Sequence, residues 1–288
     1  MLWEASVTRS KFLFALLCVC GMLPLSDGFT QFREAVDERR TEFALSYDRF
    51  LKLDQTLTEQ GYRVVSIDGY AVRNRDYYAA TWDRIDEPEW KACYRTKPDD
   101  FKKLASDYAS EGYRLVDLCS YAVNRQDYYA AIWEKTLGPE QELEIRLPAA
   151  DFQKAFDARI EMGCRPSMLS SIAINGEDYY AVVWEGRTEP ECRIRYRLSD
   201  RQYQQELADY REQGFRLVDV NSHVANRTEI FSAIWEKDLD TEWKTEHRLP
   251  LRRLKTKHDA MIKDGYHLVD LAVRESGPGV FYDAVWSR

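Results

Sequence analysis

Histidine is scarce in this chain. The four residues, His223, His247, His258 and His267, all fall in its final quarter. No two stand four apart, the spacing that would put a ligand pair on one helix face. Cysteine is no more regular: beyond residue 28 only Cys93, Cys119, Cys164 and Cys192 remain, at no fixed interval and with no Cys-x-x-Cys pair. A metal set built into a sequence repeat is therefore excluded, and no cofactor or metal is expected. Gly-x-Ser-x-Gly, His-Glu-x-x-His and a Gly-rich phosphate loop are absent, and no serine is followed three residues later by lysine, so the usual nucleophile and base signatures are missing. These absences predict a protein that is not an enzyme. Clustered positive charge is lacking too: the formal net charge is −8, which argues against nucleic acid, whose phosphates need Lys and Arg.

Past residue 28 no segment is apolar enough to span a membrane. The beginning of the chain is different. Arg9 and Lys11 precede an apolar run from Phe12 to Leu25, and Ser26 and Gly28 follow. This reads as a cleavable secretory signal over residues 1–28, with cleavage between 26 and 33. The mature chain is then expected to be secreted or to lie in the periplasm or cell envelope. An oxidising compartment permits disulfides among the four remaining cysteines, with the pairing open. Cys164 stands in a column otherwise held by Tyr62, Tyr113, Phe215 and Tyr266, and is expected to be a buried small hydrophobe.

What the chain does contain is repetition. Gly61, Gly112, Gly163, Gly214 and Gly265 are 51 residues apart, as are Trp82, Trp133, Trp184, Trp235 and Trp286. Five units follow: 34–84, 85–135, 136–186, 187–237 and 238–288. A period held without insertion marks a single array in which each unit buries its apolar face on its neighbours. The tryptophans are expected to be repeat core, with Trp286 in the last unit mattering less than Trp133.

Within a unit, Pro88, Pro139 and Pro190 each precede glutamate and a short extended run closed by Arg95, Arg146 or Arg197, with Arg248 in the last unit. Pro98-Asp99 and Ser199-Asp200 then open a helix whose apolar stripe includes Phe101, Leu104 and Tyr108. The repeated glycine suits a left-handed helix stop. Two β-rich runs follow, joined in unit 3 by Asn175-Gly176, a strong hairpin signal. Both runs are apolar on both faces, so the sheet is covered on each side. The expected fold is α/β: five strand-helix-strand-strand repeats forming a largely antiparallel curved sheet (a half-barrel, solenoid or closed ring) with helices on one face.

The pattern Gly-Tyr-Arg-Leu-Val-Asp followed by Asp-Tyr-Tyr-Ala-Ala-Ile-Trp-Glu, as at Gly112–Asp117 and Asp127–Glu134, resembles the bacterial tandem repeat domain also found in the N-terminal region of polyglycine hydrolases. In those proteases the repeats precede a serine-hydrolase domain, of which this chain carries no signature. The resemblance implies an extracytoplasmic binding or structural array.

One column remains as a candidate for chemistry: Arg63, Arg114, Arg165, Arg216 and His267. It is read first as a structural ladder pairing with Asp117, Asp219 and Asp270, or with Asp76, Asp127, Asp178 and Glu229, because a residue present in every unit usually serves stacking. The alternative is a row of guanidinium groups that grips a carboxylated or sugar-like polymer together with Tyr70 and Tyr121. Two functions follow. One is a non-enzymatic exported array that binds or scaffolds an unknown protein or polysaccharide partner. The other is an accessory array working with a separate serine hydrolase on a peptide or polymer substrate.

Overall fold

The structure, a computed structural model, describes residues 39–186, 190–238 and 240–288; the expected leader over 1–28 lies outside the described residues. Unit 1 contains β1 (Arg39–Ser46), α1 (Tyr47–Glu59), β2 (Arg63–Val72) and β3 (Arg75–Asp83). Unit 2 contains β4 (Trp90–Thr96), α2 (Pro98–Ser110), β5 (Arg114–Val123) and β6 (Gln126–Glu134), and unit 3 contains β7 (Gln141–Pro148), α3 (Ala149–Glu161), β8 (Arg165–Ile174) and β9 (Glu177–Glu185). Unit 4 follows with β10 (Cys192–Leu198), α4 (Asp200–Glu212), β11 (Phe215–Ala225) and β12 (Thr228–Lys237), and unit 5 with β13 (Trp243–Leu249), α5 (Leu251–Lys263), β14 (His267–Ser276) and β15 (Gly279–Ser287).

Each helix stops where its glycine takes the left-handed conformation, as at Gly61 with φ 82°. There Tyr62 N–H donates to Leu57 O at 2.9 Å and Gly61 N–H to Thr58 O at 3.0 Å, which satisfies two carbonyls of the last turn. Helix α4 opens with a reciprocal cap between Ser199 and Gln202. The hairpin of unit 3 turns through Asn175 and Gly176, both at positive φ, as a two-residue primed turn requires.

The expected curved sheet is corrected by the strand order. Each unit folds its own three-stranded antiparallel sheet, in the order first, third, second, and among the described residues no sheet continues into the next unit. The third strand, which carries the tryptophan, is thus central, and all five tryptophans are fully buried. The helix covers one face of its own sheet: Phe50 stacks on Tyr78 at 4.8 Å, Phe101 on Tyr129 at 4.7 Å, and Tyr203 on Phe231 at 4.9 Å.

The second strand is left at an edge of its sheet, with N–H groups facing outward. Each lies beside the second strand of the next unit, and β14 lies beside β2. Contacts therefore run from unit 5 back to unit 1, where Phe43, Tyr70 and Ala79 share one apolar cluster with Leu268, Tyr282 and Trp286. Trp286 is as buried as Trp133, so the last unit is no exposed edge. Among the described residues the four cysteines are free thiols, Cys93 and Cys119 buried, while Cys164, expected buried, is only half so.

Candidate functional site

Adjacent second strands are joined by side chains instead of by a backbone ladder. Ile67 N–H donates to Asp117 Oδ2 at 2.6 Å and Leu169 N–H to Asp219 Oδ2 at 3.1 Å; Val220 N–H donates to Asp270 in the same way. Two residues further along, Gly69 N–H reaches Cys119 Sγ at 3.2 Å, Ser120 N–H reaches Ser170 Oγ at 2.8 Å and Ser171 N–H reaches Asn221 Oδ1 at 2.9 Å. A buried edge N–H must find an acceptor, and here the neighbouring unit supplies it. Asp117, Asp219 and Asp270 are thus acceptors for backbone, not partners of the arginine column.

Those same strands converge on one axis, and carboxylates converge with them. Burial pushes the Asp117 and Asp219 carboxyls up to about 7. Burial and then Asp219 raise Asp270, while burial followed by Asp270, Asp117 and Asp219 raises Asp68 well above the usual range. Towards the hairpin ends of the strands lies an axial cavity of about 180 Å³. Every unit contributes to its lining, including Asp68, Tyr70, Tyr121, Ser171, His223 and Arg274. Among the described residues no cluster of His, Cys, Asp or Glu could hold a metal ion.

The arginine column stands elsewhere. Arg63 Nη2 donates to Glu134 Oε1 at 2.7 Å, Arg114 Nη2 to Glu185 Oε1 at 2.7 Å and Arg165 Nη2 to Glu236 Oε1 at 2.6 Å, in each case reaching the next unit. Arg63 and Arg165 are buried and also donate to the carbonyls of Pro88 and Pro190. Position 287, equivalent to these glutamates, is serine; Arg216 turns to Asp238 at 3.0 Å. His267 is exposed, and Asp83, the carboxylate at the equivalent place, binds Arg39.

The column is a set of rungs between units, with partners other than those expected. The column Asp76, Asp127, Asp178 and Glu229 pairs instead with Arg95, Arg146, Arg197 and Arg248, the residues at positive φ beside the bulge in each first strand. Tyr70 and Tyr121 do not join the guanidinium groups. They stand seven residues along the same strand, roughly 20 Å away at about 3.3 Å per residue, and are buried, with Tyr121 bonded to Tyr78 and Tyr70 to Tyr282 at 3.0 Å.

Two networks were not singled out from the sequence. At the seam of units 3 and 4, Ser171 Oγ lies 2.9 Å from His223 Nδ1, and His223 Nε2 lies 3.0 Å from Asp178 Oδ1. This looks like a nucleophile, base and orienting acid, but the hydrogen bonds run otherwise. Ser171 donates both its N–H and its Oγ–H, the latter at 2.6 Å, to Asn221 Oδ1, so the hydroxyl proton points away from the imidazole. The hydrogen bond from His223 holds Asp178 below the ordinary carboxylate range against its burial, with Arg197 assisting.

At the seam of units 4 and 5, buried Arg274 binds Asp283, donates to Glu229 Oε2 at 2.8 Å and stacks on Phe231 at 4.5 Å. His247 bridges Asp200 at 2.6 Å and Asp283 at 2.7 Å. Burial pulls His247 down, but the two carboxylates more than offset it and hold it above its ordinary value. The signal was a broken column: Asp283 replaces Ala79, Ala130, Ala181 and Ser232, and Arg274 replaces Tyr70, Tyr121, Ile172 and His223.

Such a molecule is a tandem-repeat array, with its repeated polar side chains turned to contacts between units. The family described as polyglycine hydrolase-like, structural repeat matches residues 38–85, 87–136, 138–187, 190–238 and 240–288, and the chain belongs to that family. Comparison with curated proteins returned no match. No helix among the described residues is long and apolar enough to cross a membrane.

Proposed function

We propose that the chain is an exported, non-enzymatic binding scaffold in which the five units close into a ring and present a rigid surface to a protein or polysaccharide partner. The observation that carries this reading is the use of the arginine column between units: side chains that could have gripped a polymer hold neighbouring units together. A rigid framework suits recognition because little conformational freedom is lost on binding. The cavity on the axis, about 180 Å³, is of small-molecule size, so a macromolecular partner is met by the outer surface. The family description favours a second reading, an accessory array acting beside a separate serine hydrolase.

Recovery from the secreted or periplasmic fraction tests both. Capture of wall polymer or an adhesion protein on the immobilised chain supports the scaffold, and reproducible capture of one hydrolase supports the accessory role. Amino-terminal sequencing of the purified protein should begin near Phe29 to Glu34; intact Met1 on cytosolic protein would sink the export reading.

A further inference from the structure

The hairpin of unit 4 departs from the other four at its tip. Equivalent positions read Arg73-Asn74-Arg75, Asn124-Arg125-Gln126, Asn175-Gly176-Glu177 and Gly277-Pro278-Gly279, whereas unit 4 has Asn226-Arg227-Thr228. Asparagine with threonine two residues on, and no proline between, is the acceptor pattern for oligosaccharide transfer. Only one of the chain's five asparagines has it. Asn226, Arg227 and Thr228 are all exposed. Asn226 and Arg227 take φ of 49° and 65°, the two left-handed residues of a primed hairpin turn. This conformation carries Asn226 and Arg227 beyond the sheet, and Thr228 opens β12 opposite Ala225.

The amide of Asn226 is placed but not enclosed. Its Nδ2 donates to Gly176 O of the preceding unit at 2.9 Å, an exposed bond that uses one of two amide hydrogens. Gly176 makes room for it: a Cβ there would stand 2.4 Å from Asn226 Oδ1.

We propose that Asn226 is a site of N-glycosylation, an inference that rests on the export reading above. In the transfer, Nδ2 forms a bond to C1 of an oligosaccharide carried on a lipid pyrophosphate. The C1–O bond breaks, the pyrophosphate leaves with the electron pair, and the amide loses one proton. The remaining N–H is still free to donate to Gly176 O, so the contact between the hairpins survives modification. The five tips end the same strands whose preceding residues line the axial cavity. A glycan at Asn226 therefore stands on that face and leaves the opposite face, where the helices give way to the second strands, for a macromolecular partner.

The full chain is expressed in eukaryotic secreting cells in two forms, one with its own residues 1–28 and one with these replaced by an established secretion leader. Both should emerge with a single glycan, released by peptide-N-glycosidase with conversion of Asn226 to aspartate in the recovered peptide. Asn226→Gln and Thr228→Ala should abolish the mass shift, and Thr228→Ser should retain it. Thr228→Ala leaves the Asn226 contact intact, which separates loss of the acceptor from loss of the fold. A glycan only on the form with the substituted leader would sink the export reading and leave the site standing. Secreted, folded protein lacking a glycan in both forms, or a glycan persisting in Thr228→Ala, would overturn the proposal.

Discussion

The seam between units 1 and 2 and the seam between units 4 and 5 occupy equivalent places and are filled with opposite chemistry. In the first, Tyr121 meets Tyr78 edge to face, ring centroids 5.8 Å apart, with Ala130 nearby in its own sheet. In the second, the same three places hold Arg274, Phe231 and Asp283, and a buried ion network replaces a pair of hydroxyls. One pairing is common to both: Asp76 with Arg95 in the first, Glu229 with Arg248 in the second. The backbone sets where a seam runs, while its contents can change, provided that charged groups change together. Arginine without Asp283 or Glu229 would be a buried charge with too few partners, which is much costlier than a neutral pair.

The largest effect sharpens the comparison between an internal unit and the last one. Trp133→Ala and Trp286→Ala should each lose about 3–5 kcal/mol in denaturant melts, as large aromatic truncations in a core do. Equal losses are expected because unit 5 packs on unit 1. A loss at Trp286 much below that at Trp133 would show an open end and overturn the proposed ring.

The two seams should part under single substitution. Arg274→Ala leaves Asp283 and Glu229 short of a partner and should lose about 3–5 kcal/mol, as when one member of a buried pair is removed. Converting the whole seam to its unit 2 counterpart, Arg274→Tyr with Phe231→Tyr and Asp283→Ala, should recover most of that loss. A triple variant no more stable than Arg274→Ala would show that the charged network has a role beyond filling the seam.

Acid separates the seam from the axis by sign. Burial would raise Glu229, but Ser276, Arg248 and Arg274 bring it down to about 2. A carboxyl held below its unfolded value stabilises the fold above about pH 4.5 and ceases to do so as pH falls towards 2. Asp117 and Asp219 behave oppositely: pushed up to about 7, they favour the fold when protonated and disfavour it as pH rises from about 4 to 7. Asp117→Asn keeps an oxygen for the Ile67 N–H and should gain at least about 1 kcal/mol at pH 8, one pKa unit being worth about 1.4 kcal/mol. An unchanged pH–stability profile would remove the axial carboxylates from this account.

The smallest effect lies within the arginine column. Arg216 keeps 21% of its side chain exposed against 3% for Arg165, so Arg216→Ala should cost about 1 kcal/mol or less, whereas buried Arg165, held by Glu236 and Pro190 O, should cost about 3–5 kcal/mol. Near-native melting of Arg165→Ala with loss of retention on an anionic polymer would restore the groove reading.

Local rules were legible in the sequence because they act over a few residues. The period, the glycine stop of each helix, the Asn175-Gly176 turn and the burial of the tryptophans all follow from spacing and backbone preference. Partner choice was not legible. Arg63 and Glu134 are 71 residues apart, and Asp117 accepts from an N–H 50 residues earlier, so a column of like residues announces a ladder without naming the other rail. The change from one curved sheet to five small ones was hidden for the same reason: apolar residues at both parities show that a strand is covered on both faces, not whether its edge meets a backbone or a side chain. Only tertiary structure decided that Asp117, Asp219 and Asp270 would face an axis as acceptors, and that Arg274 and Asp283, two breaks in the repeat, would answer each other.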